Sequence, residues 1–189
     1  MKNILFVNAC VRPQSRTKLL AKYVLEKLDG EIQELDLEKE GIKPLDLERM
    51  ELRDSCSHTG DFSNDICRYA KQFAEADTVV IAAPYWDMSF PAMVKNYFEA
   101  ITIQGLTFRY TEKGIPEGLT NVKKVIYVTT AGGPIGEMNL GFDYVNAVCR
   151  SLYCIDDVVC HKAEMLDIIG ADVEGILKQT MDEIDKIYG

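Results

Sequence analysis

The chain of 189 residues is poor in several things, and each shortage excludes something. No apolar run approaches the roughly 18 residues needed to cross a bilayer, so no membrane span is expected. The first apolar stretch, Ile4-Leu5-Phe6-Val7, ends at Asn8 and follows Met1-Lys2-Asn3 directly. That start has no secretory pattern, and a cytoplasmic, reducing compartment is the expectation. Positive charge is also in short supply. Lys and Arg number 21 against 30 Asp and Glu, a net charge of −9. Such a surface repels polyphosphate backbones, and no nucleic-acid partner is expected. No CxxC occurs, and Cys149-x4-Cys154-x5-Cys160-His161 lacks zinc or iron–sulfur spacing. The six cysteines therefore read as free thiols and no metal is expected. His58 and His161 are the only histidines, and neither sits in a catalytic pattern. What remains is ample: 47% hydrophobic residues can bury a core without disulfides. One domain over 1–189 is the expectation.

The apolar pattern alternates between buried strands and amphipathic helices. Lys2–Asn8 reads as a strand. Ser15 or Arg16 then opens a helix carrying Leu19, Leu20, Tyr23, Val24 and Leu28 up to Gly30. Ile32, Leu35 and Leu37 fit a second strand. Residues 38–61 have no clean period and read as a long acidic excursion with a helical turn at Leu45–Arg53. Asp61 is a candidate cap for a helix with Ile66, Tyr69, Ala70 and Phe73 on one face. Thr78–Ala83 is a near-continuous apolar strand, as in a parallel sheet covered on both sides. Pro91 stands at the first turn of the next helix, over Ala92–Ile103. An inserted hairpin near 105–119 is expected from the alternation Leu106–Thr111 and the glycines Gly114 and Gly118. Lys124–Thr129 and Ile155–Cys160 are two more strands, with a helix over Phe142–Leu152 between them. A terminal helix spans Ala171–Ile187, with Ile176, Met181, Ile184 and Ile187 as core contacts. The order implies an α/β fold: a three-layer, doubly wound, parallel five-stranded sheet, strand order 2-1-3-4-5. Ligands of such sheets bind beyond the strand ends at the switch between the first and third strands.

Three loops at those strand ends carry the candidate site. The first, Cys10 to Thr17, contains neither GxGxxG nor GxxxxGK[ST]. It offers Ser15 and Thr17 at a helix N-terminus with Arg12 and Arg16 beside them, a set suited to a phosphate. It equally suits a serine cap flanked by solvated arginines. The third-strand loop, Pro84-Tyr85-Trp86-Asp87-Met88-Ser89-Phe90-Pro91, places three aromatics between two prolines. Aromatic faces suit a flat heterocycle, and a satellite apolar cluster or subunit contact is the other reading. Asp87 either accepts from a ring N–H or caps the following helix. The fourth loop, Thr129-Thr130-Ala131-Gly132-Gly133-Pro134, permits close backbone approach through its paired glycines. A flat ring joined to one phosphate fits all three loops, and flavin mononucleotide (FMN) is the economical candidate.

Ala83 to Tyr97, APYWDMSFPAMVKNY, resembles the P-x-[WY]-N-x-x-x-P-A-x-L-K-x-[WY] pattern of the flavodoxin-like NAD(P)H oxidoreductases. The similarity is to their FMN-dependent azoreductase and quinone-reductase branch. Gly105-Leu106-Thr107-Phe108-Arg109-Tyr110, with Gly118-Leu119, is similar to that family's G-x-T-F-x-Y hairpin and its G-L close. Thr130-Ala131-Gly132-Gly133 resembles its strand-end glycine pair. The resemblance implies a flavodoxin-like fold and hydride transfer from NADH or NADPH through FMN to a small planar acceptor such as a quinone, azo or nitroaromatic compound. It implies that Ser15 and Thr17 hold the phosphate, with Arg12 and Arg16 near. It further implies that Pro84, Tyr85, Trp86, Asp87 and Met88 line the ring, and that Thr130, Ala131, Gly132 and Gly133 approach its pyrimidine side. The Gly132 and Gly133 amides are the catalytic candidates, steadying charge on the reduced ring. A homodimer is implied, with a partner's 38–61 segment over the flavin. The family pattern has Asn where Asp87 stands, and an ionised carboxylate donates no hydrogen bond.

Phe108 and Tyr110 stand either as a gate or as packing. An electron-carrier flavodoxin and a flavin-free interaction domain are the competing readings. The first loop, Arg-Pro-Gln-Ser-Arg-Thr, departs from the Thr/Ser-rich phosphate loop of such carriers.

Overall fold

The structure, a computed structural model, describes residues 1–189. Its strands sort their side chains by parity. In β1 (Asn3–Asn8), Ile4 and Phe6 face one layer, and Leu5 and Val7 face the other. β3 (Thr78–Ala82) does the same with Val80 against Val79 and Ile81, and β6 (Lys124–Thr130) with Ile126 and Val128 against Val125 and Tyr127. Strands apolar on both faces must be covered on both faces. α1 (Arg16–Glu26) and α7 (Val173–Tyr188) cover one side through Leu20, Val24 and Ile184. α4 (Arg68–Glu75), α5 (Ala92–Ile101) and α6 (Leu140–Ser151) cover the other through Phe73, Phe98 and Val145.

β2 (Glu31–Asp36) and β7 (Asp157–Ala163) are the edges. The sheet runs β2-β1-β3-β6-β7, every pair parallel. Counting its five strands alone, this is the expected order 2-1-3-4-5. β4 (Phe108–Tyr110) and β5 (Pro116–Gly118) form the expected antiparallel hairpin between α5 and β6. Thr107 anchors it: its hydroxyl donates to the Ile101 carbonyl at 2.7 Å and accepts from the Ile103 N–H at 3.1 Å. Gly118 is required there, because a Cβ would overlap the Tyr153 carbonyl. Phe108 is buried in the core and Tyr110 is half-exposed beside it.

Four expectations need correction. Residues 38–61 are largely helical: α2 (Leu37–Glu40) and α3 (Leu47–Thr59) account for most of them. α3 has only Cys56 buried, so it carries no apolar stripe for periodicity to find. Its ends are nonetheless marked, by the Asp46 carboxylate accepting from Arg49 N–H and by Gly60 at φ +70°. Asp61 caps no helix. Its carboxylate accepts from Ser63 N–H, while Asn64 caps the 3-10 turn (Asp65–Cys67) that leads into α4. β7 lies two to three residues later than Ile155–Cys160, because Ile155 packs in the core just before the ladder begins. Ile187 is 58% exposed, unlike Ile184 on the same helix.

Candidate functional site

A cavity of about 300 Å³ opens at the C-terminal ends of β1, β3, β6 and β7. The β1 and β3 ends bracket the switch point, since α1 returns the chain to β2 on one side and β3 lies on the other. The first loop contributes Val11, Arg12, Gln14, Ser15, Arg16 and Thr17. Pro84, Tyr85 and Trp86 come from the end of β3, and Thr130, Ala131 and Gly132 from the end of β6. The structure therefore brings together ten of the thirteen candidate residues. Asp87, Met88 and Gly133 lie outside the wall; Asp87 follows Trp86 and Gly133 follows Gly132, while Met88 stands one residue further off.

The floor is tied by hydroxyls. Thr17, buried in the first turn of α1, meets Thr130 at 2.6 Å between their Oγ1 atoms. Ser15 caps α1, its Oγ accepting from Lys18 N–H at 3.2 Å, which leaves its own proton free to donate. The Arg16 and Thr17 amides open the helix and have no acceptor within it, so the positive end of α1 faces the cavity. The Gly132 and Gly133 amides likewise donate to no protein acceptor. Unpartnered N–H groups at a helix start and a glycine pair, with two hydroxyls between, fit a phosphate ester carrying an oxygen-rich ring. Cys10 lies below the loop, with burial pushing its thiol pKa up; that keeps it a neutral thiol rather than a nucleophile.

The Trp86–Ser89 segment is a two-residue hairpin. The two backbones exchange hydrogen bonds at 3.0 and 2.8 Å, with Asp87 at φ +50° and Met88 at φ +66° on its tip. Asn and Asp tolerate the left-handed region best among residues with a side chain. The turn thus accepts Asp87 where the family pattern has Asn. Asp87 is exposed and caps nothing: α5 starts after Pro91 without a side-chain cap. Tyr85 is held at both ends, its N–H donating to Thr130 O at 3.1 Å and its hydroxyl to Met138 O at 2.9 Å. Trp86 is 39% exposed at the mouth. Phe108 and Tyr110 are not in the cavity wall; Phe108 packs in the core, with the half-exposed Tyr110 edge-on to it at 5.5 Å.

Sequence reasoning missed a further loop, the one following β7. Leu166 and Asp167 line the cavity, and Asp167 forms an ion pair with Arg16 at 2.8 Å. Gly132 has no room for a Cβ because the Asp167 carboxylate occupies it. Backbone bonds from Leu166 to Ala131 O and from Asp167 to Gly132 O lock this loop against the glycines. Glu164 fixes the far side of the glycine loop, accepting from Ile135 N–H at 2.6 Å and Gly136 N–H at 3.3 Å. The Ile135 N–H, ahead of other partners, lowers its pKa. The signal was present: residues following the last strand stand beside the end of β6 in a 2-1-3-4-5 order. Ending that strand at Cys160 hid it.

Fold and cavity together define a doubly wound α/β protein with an amide-rich seat at its switch point. The chain belongs to the family described as having the flavodoxin-like fold, whose model matches residues 2–184. It is 38% identical to an FMN-dependent NADH:quinone oxidoreductase 2 of Clostridium acetobutylicum, over 97% of this chain and 96% of that one. A relative in Lachnoclostridium phytofermentans, an FMN-dependent NADH:quinone oxidoreductase, is also 38% identical, over 95% and 94%. Among solved structures, an azoreductase from Bacillus anthracis superposes with a TM-score of 0.84 at 25% identity, covering 100% of this chain and 99% of that one.

Proposed function

We propose that the chain is an FMN-dependent oxidoreductase that takes hydride from NADH and delivers it to quinone or azo acceptors. The carrying observation is the convergence of three strand-end loops on one cavity whose free donors match a phosphate ester and a flat, oxygen-rich ring. The relatives named above support the same reading through their own activities.

When bound, FMN supplies the two-electron hydride exchange between donor and acceptor. The chain's own residues bind and orient. Ser15, Thr17 and the α1 amides would hold the phosphate, with Arg16 and Arg12 adding charge. Tyr85, Trp86 and the Asp87-Met88 tip would border the ring, and Pro84 stiffens the entry to that turn. Thr130 and Ala131 carry the backbone to Gly132 and Gly133. The amides of that pair would donate to the ring's carbonyl edge, where negative charge collects on reduction. A surface open at Trp86 lets donor and acceptor use one face in turn, which predicts ping-pong kinetics.

The active unit is a homodimer, supported by exposed apolar side chains at Trp86, Met88, Met138 and Leu140 around the site. The chain acts as one domain in the cytoplasm, a reading supported by its six free cysteines.

The test is an absorbance spectrum after incubation with FMN and gel filtration, followed by anaerobic NADH and then a quinone. About one flavin per chain, bleached by NADH and restored by quinone, is the expected result. Retained flavin that NADH does not bleach would make the protein an electron carrier. Failure to bind FMN at any concentration would overturn the flavoenzyme reading.

A further inference from the structure

Away from the cavity, the thiols of Cys56 and Cys67 meet, and nothing in the site uses them. Cys56 is buried on α3, and Cys67 is fully buried at the end of the 3-10 turn before α4. Both belong to the larger core cluster, and their side chains share a hydrogen bond. The chain between them turns back tightly. Gly60 N–H donates to Cys56 O at 2.9 Å, Ser63 N–H to the Asp61 carboxylate at 2.9 Å, and Cys67 N–H to Asn64 O at 3.0 Å. The two sulfurs differ in how they are held. Cys67 leads into α4, which is anchored by buried Tyr69, Ala70 and Phe73. Burial, then the hydrogen bond with Cys56, pushes the Cys67 thiol up to about 11; Lys71 opposes this weakly and Asp61 adds to it. Cys67 therefore keeps its proton and can donate it to its partner sulfur. Cys56 is the one buried residue of α3, while Leu47, Met50 and Leu52 on the same helix are exposed. A helix with so few buried contacts opens locally at low cost, and opening α3 bares Cys56.

We propose that Cys56 and Cys67 form a redox modification site, a buried dithiol that hydrogen peroxide closes to a disulfide. Cys56, the sulfur that α3 can uncover, attacks the peroxide. An S–O bond forms, the O–O bond breaks, and the departing oxygen leaves as water with the Cys56 proton. The Cys67 sulfur then attacks the resulting sulfenic acid. The S–S bond forms, the S–O bond breaks, and the hydroxyl leaves as a second water with the Cys67 proton. Two thiols lose two electrons, and one peroxide is reduced to two waters. The bond staples α3, through its one buried residue, to the turn that opens α4. A reducing compartment holds the pair as thiols, so the bond forms in response to oxidant. A metal is not the occupant, because no third His, Cys, Asp or Glu side chain gathers with the pair to complete a ligand set. The site stands apart from the flavin reading and does not depend on it.

The test treats the reduced full chain with stepwise hydrogen peroxide, blocks the remaining thiols with iodoacetamide under denaturing conditions, and digests with trypsin. Arg53 and Arg68 bound both cysteines in one tryptic peptide, Asp54–Arg68. That peptide should appear unblocked and two hydrogens lighter, at doses that leave buried Cys149 free, and dithiothreitol should restore it. In Cys67→Ala the second step is lost, and Cys56 should accumulate as a sulfenic acid captured by dimedone. In Cys56→Ala, Cys67 should stay free at the same dose. Tryptic cleavage after Arg53 in the native protein should slow by about tenfold or more once the pair is oxidised, since the staple opposes the opening of α3. A wild-type Asp54–Arg68 peptide that keeps both thiols at doses oxidising all of the exposed Cys154 overturns the proposal, whatever the variants do. So does wild-type Cys56 oxidised beyond the thiol while Cys67 remains free. Equal cleavage of the reduced and oxidised forms after Arg53 overturns the stapling of α3.

Discussion

Arg16 and Asp167 form an ion pair of 2.8 Å across the mouth of the cavity, joining the first turn of α1 to the loop after β7. Arg16 also donates to Leu166 O at 3.2 Å. Both side chains are substantially exposed, so the pair contributes little to stability. Its effect is on charge: a carboxylate neutralises the arginine beside the helix end that would meet a phosphate.

Asp167→Asn should therefore release Arg16 and tighten FMN by about three- to tenfold. Fluorescence titration at low ionic strength checks this. Unchanged or weaker binding would place the phosphate elsewhere. The gain should shrink with added salt, as expected of exposed charges.

The glycine pair supplies a second contrast. Gly132→Ala pushes the Asp167 carboxylate aside, whereas a Cβ at Gly133 meets nothing within 4 Å. Gly132→Ala should cost about 1 kcal/mol and weaken flavin retention. Gly133→Ala should leave stability nearly unchanged. Urea unfolding and flavin occupancy of the two variants, side by side, provide the measurement.

Tyr97 is fully buried in the core, and its hydroxyl has no hydrogen-bond partner. Burial holds its pKa well above the ordinary tyrosine value. Removing an unsatisfied polar atom relieves its desolvation, so Tyr97→Phe should be neutral or stabilising by up to about 1 kcal/mol. A destabilised variant in thermal unfolding would reveal a partner for the hydroxyl.

His161 is buried, with its Nε2 3.1 Å from the Tyr188 hydroxyl. Burial, then Lys124, lowers its pKa, against a smaller opposing contribution from Glu183. The unfolded chain therefore binds this proton more readily than the folded one. The stability it contributes is present above the unfolded value of about 6.5 and is lost as pH falls from there toward the folded value. Between pH 7.5 and 5.5 the wild type should lose more Tm than His161→Gln. Equal losses would remove His161 as the cause.

Much of this molecule was legible in one dimension because its signals are local. A strand such as Thr78–Ala82 is apolar on both faces, and that alone calls for two covering layers. Ser15 and Pro91 mark helix starts by chemistry acting within a few residues. The aromatic loop between Pro84 and Pro91 and the Gly132-Gly133 pair announce themselves by residue type. α3 was read as no more than a helical turn because it is a helix with almost nothing to bury, and periodicity reports burial rather than helicity. Asp167 and Glu164 were lost for a different reason. An ion pair between residues 16 and 167, and a carboxylate at 164 holding amides at 135 and 136, exist only once β6 and β7 lie side by side. The sequence by itself determined the layers, the strand order and the three loops that meet. Only the tertiary structure decided which charges face the cavity, because electrostatics acts through space and is indifferent to chain order.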